Sequence, residues 1–118
     1  MIEPRLDFYT RTGRIDLANK IFDRLPVKDS ASWITLILGY GMLGELDVAI
    51  NLFEAMREDG VEYYPVSHIG VLTACSLGGL VEKGKKFFDE MQARNVKPTE
   101  THYACMVYLL IKYNQKAR

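Results

Sequence analysis

The chain has 118 residues, of which 48% are hydrophobic and 25% charged, and its fifteen basic residues balance fifteen acidic ones. This length and composition predict one globular domain and exclude a disordered chain. The zero net charge excludes a strong global attraction to nucleic acid or anionic membranes, so that a nucleic-acid function would have to rest on a local patch or on base contacts.

The predicted elements are seven helices, and they form three hairpins and one final helix. Along each of them apolar residues recur three and four positions apart, which places these residues on one face of an α-helix. In chain order we predict helices near 3–11, 14–25, 30–42, 45–58, 65–77, 80–94 and 100–116.

The second helix of each hairpin repeats one pattern. The three copies are GRIDLANKIFDRL (13–25), GELDVAINLFEAM (44–56) and GLVEKGKKFFDEM (79–91), in which a glycine, a small residue, a phenylalanine and a leucine or methionine share their offsets. The period is 31 residues and then 35. Because one helix pair of this length cannot bury its apolar face alone, the repeats predict an all-α solenoid of stacked hairpins.

Residues between the helices agree with this division. Asp29 or Ser30 can cap the third helix, Pro65 suits a first helical turn, and Thr99 can cap the last helix. Gly60 and Asn95 stand where a left-handed residue usually ends a helix.

Several conspicuous side chains are expected to be structural. His68 stands where the other repeats have Trp33 and Tyr103, so we expect it to pack and not to bind a ligand. Cys75 and Cys105 are isolated and are expected to be small hydrophobes, outside any disulfide or metal site. The aromatic residues expected in the core are Tyr9, Phe22, Tyr40, Phe53 and Phe88, and those expected on a solvated outer face are Lys83, Lys85 and Lys86.

The stretch SWITLILGYGMLGELDVAINLFEAMREDGV resembles a pentatricopeptide repeat. The alternation of long and short repeats is similar to a plant-specific subclass of that family, with repeats at about 1–29, 30–64 and 65–99 and a partial repeat at 100–118. The segments ACSLGGLVEKGKKFF and HYACMV resemble the last repeats before the C-terminal extension of organellar RNA-editing factors.

The resemblance implies a module that reads single-stranded RNA in mitochondria or chloroplasts, one base per repeat, within a factor for RNA processing or cytidine-to-uridine editing. No cofactor is implied. The deaminase signature H-x-E…P-C-x-x-C is missing, since His68 is followed by Ile69-Gly70 and His102 by Tyr103-Ala104. We therefore expect this segment to be non-catalytic.

The resemblance also carries three sets of RNA-binding positions onto this sequence. Ile34 offers no hydrogen bond and Tyr64 replaces an expected acid, so we expect weak and poorly specific binding. The base-reading positions are Glu3, Asp29, Ile34, Tyr64, Ile69, Thr99 and Ala104. The base-sandwiching positions are Ala31, Val66 and Thr101, and the phosphate positions are Arg11 and Lys112.

Two other functions stay open. Ile34 and Ile69 suit a partner helix or peptide better than a base edge, which favours a scaffold that docks protein partners of editing factors; a purely structural solenoid is the third alternative.

At the chain ends, the N-terminus lacks the features of a signal or transit peptide, so we expect a mature fragment. We also expect one continuous last helix to about Lys116, with an apolar side prone to self-association.

Overall fold

The computed structural model describes residues 4–60 and 65–117, with side chains up to Asn114. This part of the chain folds into seven α-helices, each of which begins and ends within one residue of its predicted bounds. The all-α prediction is therefore confirmed. The helices are α1 (Pro4–Arg11), α2 (Ile15–Arg24), α3 (Ser30–Met42), α4 (Leu46–Glu58), α5 (Pro65–Gly78), α6 (Val81–Ala93) and α7 (Glu100–Ala117).

The same type of glycine turn joins the two helices of each hairpin. After α3, Gly44 has a φ of 76°, its N–H donates to the Gly41 carbonyl at 3.0 Å, and the Glu45 N–H donates to the Tyr40 carbonyl at 2.9 Å. This is a Schellman motif, which needs a left-handed residue after the helix. The same bonds recur after α1 and α5, and Gly60 and Asn95 also have the expected positive φ.

The hairpins stack in two layers. The first helices of the repeats, α1, α3, α5 and α7, form an inner layer in which each packs on the next. The second helices, α2, α4 and α6, form an outer layer, and each packs on its own first helix and on the first helix of the next repeat. The described residues span 47 × 30 × 22 Å.

Small residues let the inner helices approach closely. Gly41 of α3 lies against Gly70 of α5, where a Cβ on either glycine would collide with the neighbouring helix. At the equivalent crossing of α5 and α7, the Ser76 hydroxyl donates to the Cys105 carbonyl at 2.8 Å. These close contacts fix the spacing of the inner layer.

Longer side chains separate the outer helices. Arg57 of α4 forms an ion pair with Glu90 of α6, and its guanidinium lies 4.5 Å from the centroid of the Phe53 ring. Phe53 in turn contacts Phe87 of α6 at 5.7 Å between centroids. Because the inner helices cross closely while these side chains keep the outer ones apart, we infer that the stack curves with the first helices on its concave side.

Each outer helix also presents a phenylalanine edge-on to an aromatic ring of the following repeat. The three pairs are Phe22 with Trp33, Phe53 with His68 and Phe88 with Tyr103, at 5.0, 4.9 and 5.4 Å between centroids. His68 is fully buried in this position, so the prediction that it replaces a packing aromatic is confirmed.

The core differs from the expectation in detail. Phe22 and Phe53 are buried, but Phe88, like Tyr9 and Tyr40, is only half-buried against the core. Phe87, which the sequence pattern did not single out, is buried in its place because it turns toward α4, whereas Phe88 turns toward α7.

Both cysteines are free thiols; Cys75 is buried and Cys105 is partly buried. Burial raises the pKa of the Cys75 thiol to about 11, so it stays protonated at neutral pH.

Among the residues that the structure describes, no cluster of His, Cys, Asp and Glu is suited to hold a metal ion. None of the described helices is both long and apolar enough to cross a membrane.

At the two ends of the stack, the structure agrees only in part with what the repeat pattern predicts. Arg5 takes the position of a packing residue in the other repeats, and the structure leaves it exposed while Leu6 is buried. The last helix is continuous to Ala117, as predicted, and Val107, Ile111 and Tyr113 on it are exposed. Self-association through this helix stays a prediction.

Candidate functional site

The concave side of the stack carries three grooves, one between each pair of neighbouring first helices. The side chains that face them recur every four residues along each helix, as the helical period requires. They are Asp7 and Arg11 on α1; Ile34, Leu38 and Met42 on α3; Ile69, Thr73 and Leu77 on α5; and Ala104, Tyr108 and Lys112 on α7.

The central groove, between α3 and α5, has a volume of about 530 Å³. It brings together five of the residues that the sequence proposed for RNA binding, and its wall is almost entirely apolar. Pro65 and Ser30, which begin the two helices, complete its rim together with His102. The five residues are Ala31 and Val66 of the base-sandwiching set and Ile34, Ile69 and Thr99 of the base-reading set.

His102 closes one end of this groove, and sequence reasoning had not assigned it a role. Its Nδ1 accepts a hydrogen bond from the Thr99 N–H at 2.9 Å, so the proton lies on Nε2, which donates to the Pro65 carbonyl at 2.8 Å. The ring is fully buried and ties the start of α7 to the start of α5.

The expected cap of α7 takes a different form. The Thr99 hydroxyl lies 2.8 Å from Nδ1 of His102 instead of bonding a free N–H of the helix. The side chain three residues into the helix therefore bonds back to the cap residue, as in a capping box with histidine in place of glutamate. That spacing was the sequence signal that would have identified His102.

Asp29 caps α3, as the sequence predicted. Its carboxylate accepts hydrogen bonds from the Ser32 N–H at 2.9 Å and from the Ser32 hydroxyl at 2.7 Å. These bonds, first of all that of the Ser32 hydroxyl, lower the pKa of Asp29. A base that Asp29 reads would have to share the carboxylate with this cap.

We expect Asp29→Ala to lower the free energy of unfolding by about 1 kcal/mol, since it leaves the first turn of α3 without a side-chain acceptor. Asn caps nearly as well, so Asp29→Asn is the matched control and should stay within a few tenths of wild type. Urea denaturation at pH 7 measures both. Equal stability of the alanine variant and wild type would contradict a capping role.

The groove between α5 and α7 has a volume of about 410 Å³ and contains two more proposed positions, Thr101 and Ala104. Leu77 and Tyr108 form its opposite walls. Lys112, proposed for phosphate, donates from Nζ to the Leu77 carbonyl at 2.5 Å and so lies at the end of this groove.

The groove between α1 and α3, also of about 410 Å³, contains Arg11, the second residue proposed for phosphate. Its Nε donates to the Asp7 carboxylate at 2.9 Å. Arg11 and Lys112 therefore lie at opposite ends of the concave side, and the equivalent positions between them are Met42 and Leu77. This spacing does not make a continuous cationic track.

The remaining proposed residues lie elsewhere. Glu3 and Tyr64 lie outside the described residues. The three lysines expected on a solvated outer face, Lys83, Lys85 and Lys86, are exposed on α6, in the layer away from the grooves.

Comparison with known proteins agrees with this architecture. The family profile described as "PPR repeat" matches residues 31–61 and 66–96. The chain is 40% identical over 116 residues to the pentatricopeptide repeat-containing protein CRR2, chloroplastic, of Arabidopsis thaliana, which covers 98% of this chain and 18% of CRR2. A mitochondrial pentatricopeptide repeat-containing protein of the same plant is 39% identical over 116 residues, 98% of this chain and 25% of the relative.

A solved structure is also similar. The crystal structure of the pentatricopeptide repeat protein PPR10 from maize matches 98% of this chain and 18% of PPR10, with a TM-score of 0.80 and 25% sequence identity. The chain thus spans about a fifth of the length of these proteins, and the names of its curated relatives support an organellar location. With two matched repeats and the solenoid itself, the chain belongs to the pentatricopeptide repeat family.

Proposed function

We propose that this chain is a single-stranded RNA-binding repeat module of an organellar RNA-processing factor, and that it is non-catalytic itself. The observation that carries the proposal is the central groove, where Ala31, Ile34, Val66, Ile69 and Thr99 meet in one cleft on the concave side. These are positions to which the family resemblance assigns base binding.

The groove suits the shape of a base better than its hydrogen-bonding edge. The small apolar side chains of Ala31 and Val66 can hold a base between successive repeats, while Ile34 and Ile69 provide no donor or acceptor. Thr99 offers a hydroxyl, which already lies 2.8 Å from Nδ1 of His102. We therefore expect modest affinity, weak base preference and a footprint of about three nucleotides.

The charge distribution predicts a shallow salt dependence. At the two phosphate positions that carry cations, Arg11 and Lys112, about two contacts are available. Binding to single-stranded RNA then has a slope of log K against log salt of about −1.4, since each neutralised phosphate contributes about −0.7. A slope several times steeper would mean that other basic residues bind the RNA.

The test is a fluorescence-anisotropy titration of a mixed single-stranded RNA at low salt. We expect a dissociation constant below about 100 μM for the wild type, in the range of weak non-specific binders. Val66→Glu places a negative charge in the central groove and should abolish binding, whereas Lys85→Glu on the outer layer should not. No binding by the wild type at about 100 μM rejects the proposal.

Two finer assignments belong to the same proposal. We infer repeat limits near 29/30, 64/65 and 99/100, because α3, α5 and α7 begin at those points. We further propose that the parent protein belongs to the subclass with long and short repeats and specifies cytidine-to-uridine editing. The segments ACSLGGLVEKGKKFF and HYACMV support this role. Loss of editing at defined organellar sites in a knockout of the full-length protein would test it.

A second candidate function is protein docking, and the apolar wall of the central groove favours it. Ile34, Leu38 and Ile69 offer a partner helix or peptide from an editing factor the kind of surface that such ligands bind. Co-purification with a candidate partner that survives nuclease treatment, and that Val66→Glu abolishes, would support docking. Displacement of the partner by RNA would mean that both ligands use one groove.

A further inference from the structure

The groove between α5 and α7 contains an aromatic side chain that the family positions do not include. Tyr108 is 51% exposed on the concave side, one helical turn after Ala104 and one turn before Lys112. At the same position the other repeats have Asp7, Leu38 and Thr73. Of the described residues that face the three grooves, Tyr108 is the only aromatic one with this exposure.

The ring lies in an apolar groove. Thr73 and Leu77 of α5 line the groove on the side opposite α7, and Thr101 and Cys105 line it on α7 together with Tyr108. Almost none of its exposed wall is polar. A ligand group that enters here gains little from hydrogen bonds, and a flat group can stack on the exposed Tyr108 ring.

A positive charge lies over the ring, at the distance of a cation–π contact. Nζ of Lys112 is 5.9 Å from the centroid of Tyr108 and donates one hydrogen bond, to the Leu77 carbonyl. An ammonium group has three donors, so two remain for a ligand. An aromatic face with a cation one helical turn away matches the two parts of a nucleotide, the base and the phosphate.

From this arrangement we propose that Tyr108 is a stacking platform for one nucleobase of a single-stranded RNA, with Lys112 holding the adjacent phosphate. The inference rests on the proposed RNA-binding function and adds a base-binding site to it. Because every base has a stackable face, this site supplies affinity without sequence preference. It would offset the missing hydrogen bonds at Ile34 and Ile69.

The experiment compares Tyr108→Leu with Tyr108→Phe. Phenylalanine keeps the aromatic face, so the affinity should stay within about twofold of wild type, whereas leucine should weaken it by on the order of 5- to 100-fold, as the loss of one stacked base does. Tyr113→Leu is the matched control, because Tyr113 is also 51% exposed on α7 but lies outside the three grooves. Circular dichroism verifies that each variant is folded.

A second readout locates the base directly. In RNAs carrying 2-aminopurine at successive positions, one position should lose fluorescence on binding to wild type and to Tyr108→Phe, but not on binding to Tyr108→Leu. If the wild type binds RNA and Tyr108→Leu has the same affinity and quenching, the stacking site is wrong and the RNA-binding function stands. If the wild type does not bind RNA, both fail.

Discussion

Replacing Gly41 by alanine should lower the free energy of unfolding by about 2–3 kcal/mol, the upper part of the usual range for overpacked sites. The new Cβ would collide with the carbonyl oxygen of Gly70 and lie 3.1 Å from its carbonyl carbon. Both are backbone atoms of α5, so no side-chain rotation relieves the overlap, and α3 and α5 must move apart. The central groove, which these two helices form, would widen as well.

Thermal or urea unfolding measures this effect, and Gly78→Ala provides the control. Gly78 ends α5, and a Cβ there would meet its nearest neighbour, Cδ2 of Leu46, at an ordinary 3.5 Å. Alanine is the better helix former, so we expect this variant to be as stable as wild type or slightly more so. Equal stability of Gly41→Ala and Gly78→Ala would mean that the inner helices are not packed at backbone contact.

Acid should destabilise the fold through His68. Burial lowers the pKa of this histidine to about 3, and the charges of Arg57, His102 and Arg94 add to the effect. As the pH falls below about 6.5, His68 becomes protonated in the unfolded chain but stays neutral in the folded chain. The contribution of neutral His68 to the free energy of unfolding is fully present above that pH. It is lost between about pH 6.5 and 3, to a total of about 3–5 kcal/mol.

Urea denaturation at several pH values tests this linkage when wild type is compared with His68→Phe. Phenylalanine keeps an aromatic ring against Phe53 but cannot be protonated, and the carboxylates and His102 are common to both proteins. We expect the variant to become the more stable of the two as the pH falls from 6.5 to 4. Parallel stability curves over this range would contradict a buried neutral His68.

The helices were predictable because their signals are local. Apolar residues at helical spacing, the cap at Asp29 and the glycine turns around Gly13, Gly44 and Gly79 each act within a few residues. Burial of Phe87 instead of Phe88 was not predictable in the same way, because adjacent residues on a helix differ by 100° in direction and both are phenylalanine. The packing of α4 and α7 against α6 decides between them.

The candidate site was predictable as a set of positions, through the resemblance, but its contacts were not. His102 bonds to Pro65, and Lys112 to Leu77, across 37 and 35 residues of sequence. Such pairs meet only because the repeats stack with one particular rise and rotation, which no single repeat encodes. Tyr108 was missed for a related reason, since its exposure depends on which face of α7 borders α5.

As the proposed RNA-binding surface, this concave side has an uncommon composition. Its middle is formed by Ile34, Leu38, Met42 and Ile69, and its two cations lie at the ends, each with a partner inside the protein. Binding there has to come from shape, stacking and exclusion of water more than from charge. This explains why both RNA and an apolar peptide segment are reasonable ligands for one groove.

Whether RNA lies along the inner layer is tested most directly by crosslinking RNA that contains 4-thiouridine and identifying the modified residues by mass spectrometry. Binding along the inner layer predicts adducts on α3, α5 and α7, within 31–42, 66–77 and 101–112, with Tyr108 among the modified residues. Adducts confined to the outer layer, around Lys83, Lys85 and Lys86 on α6, would contradict it.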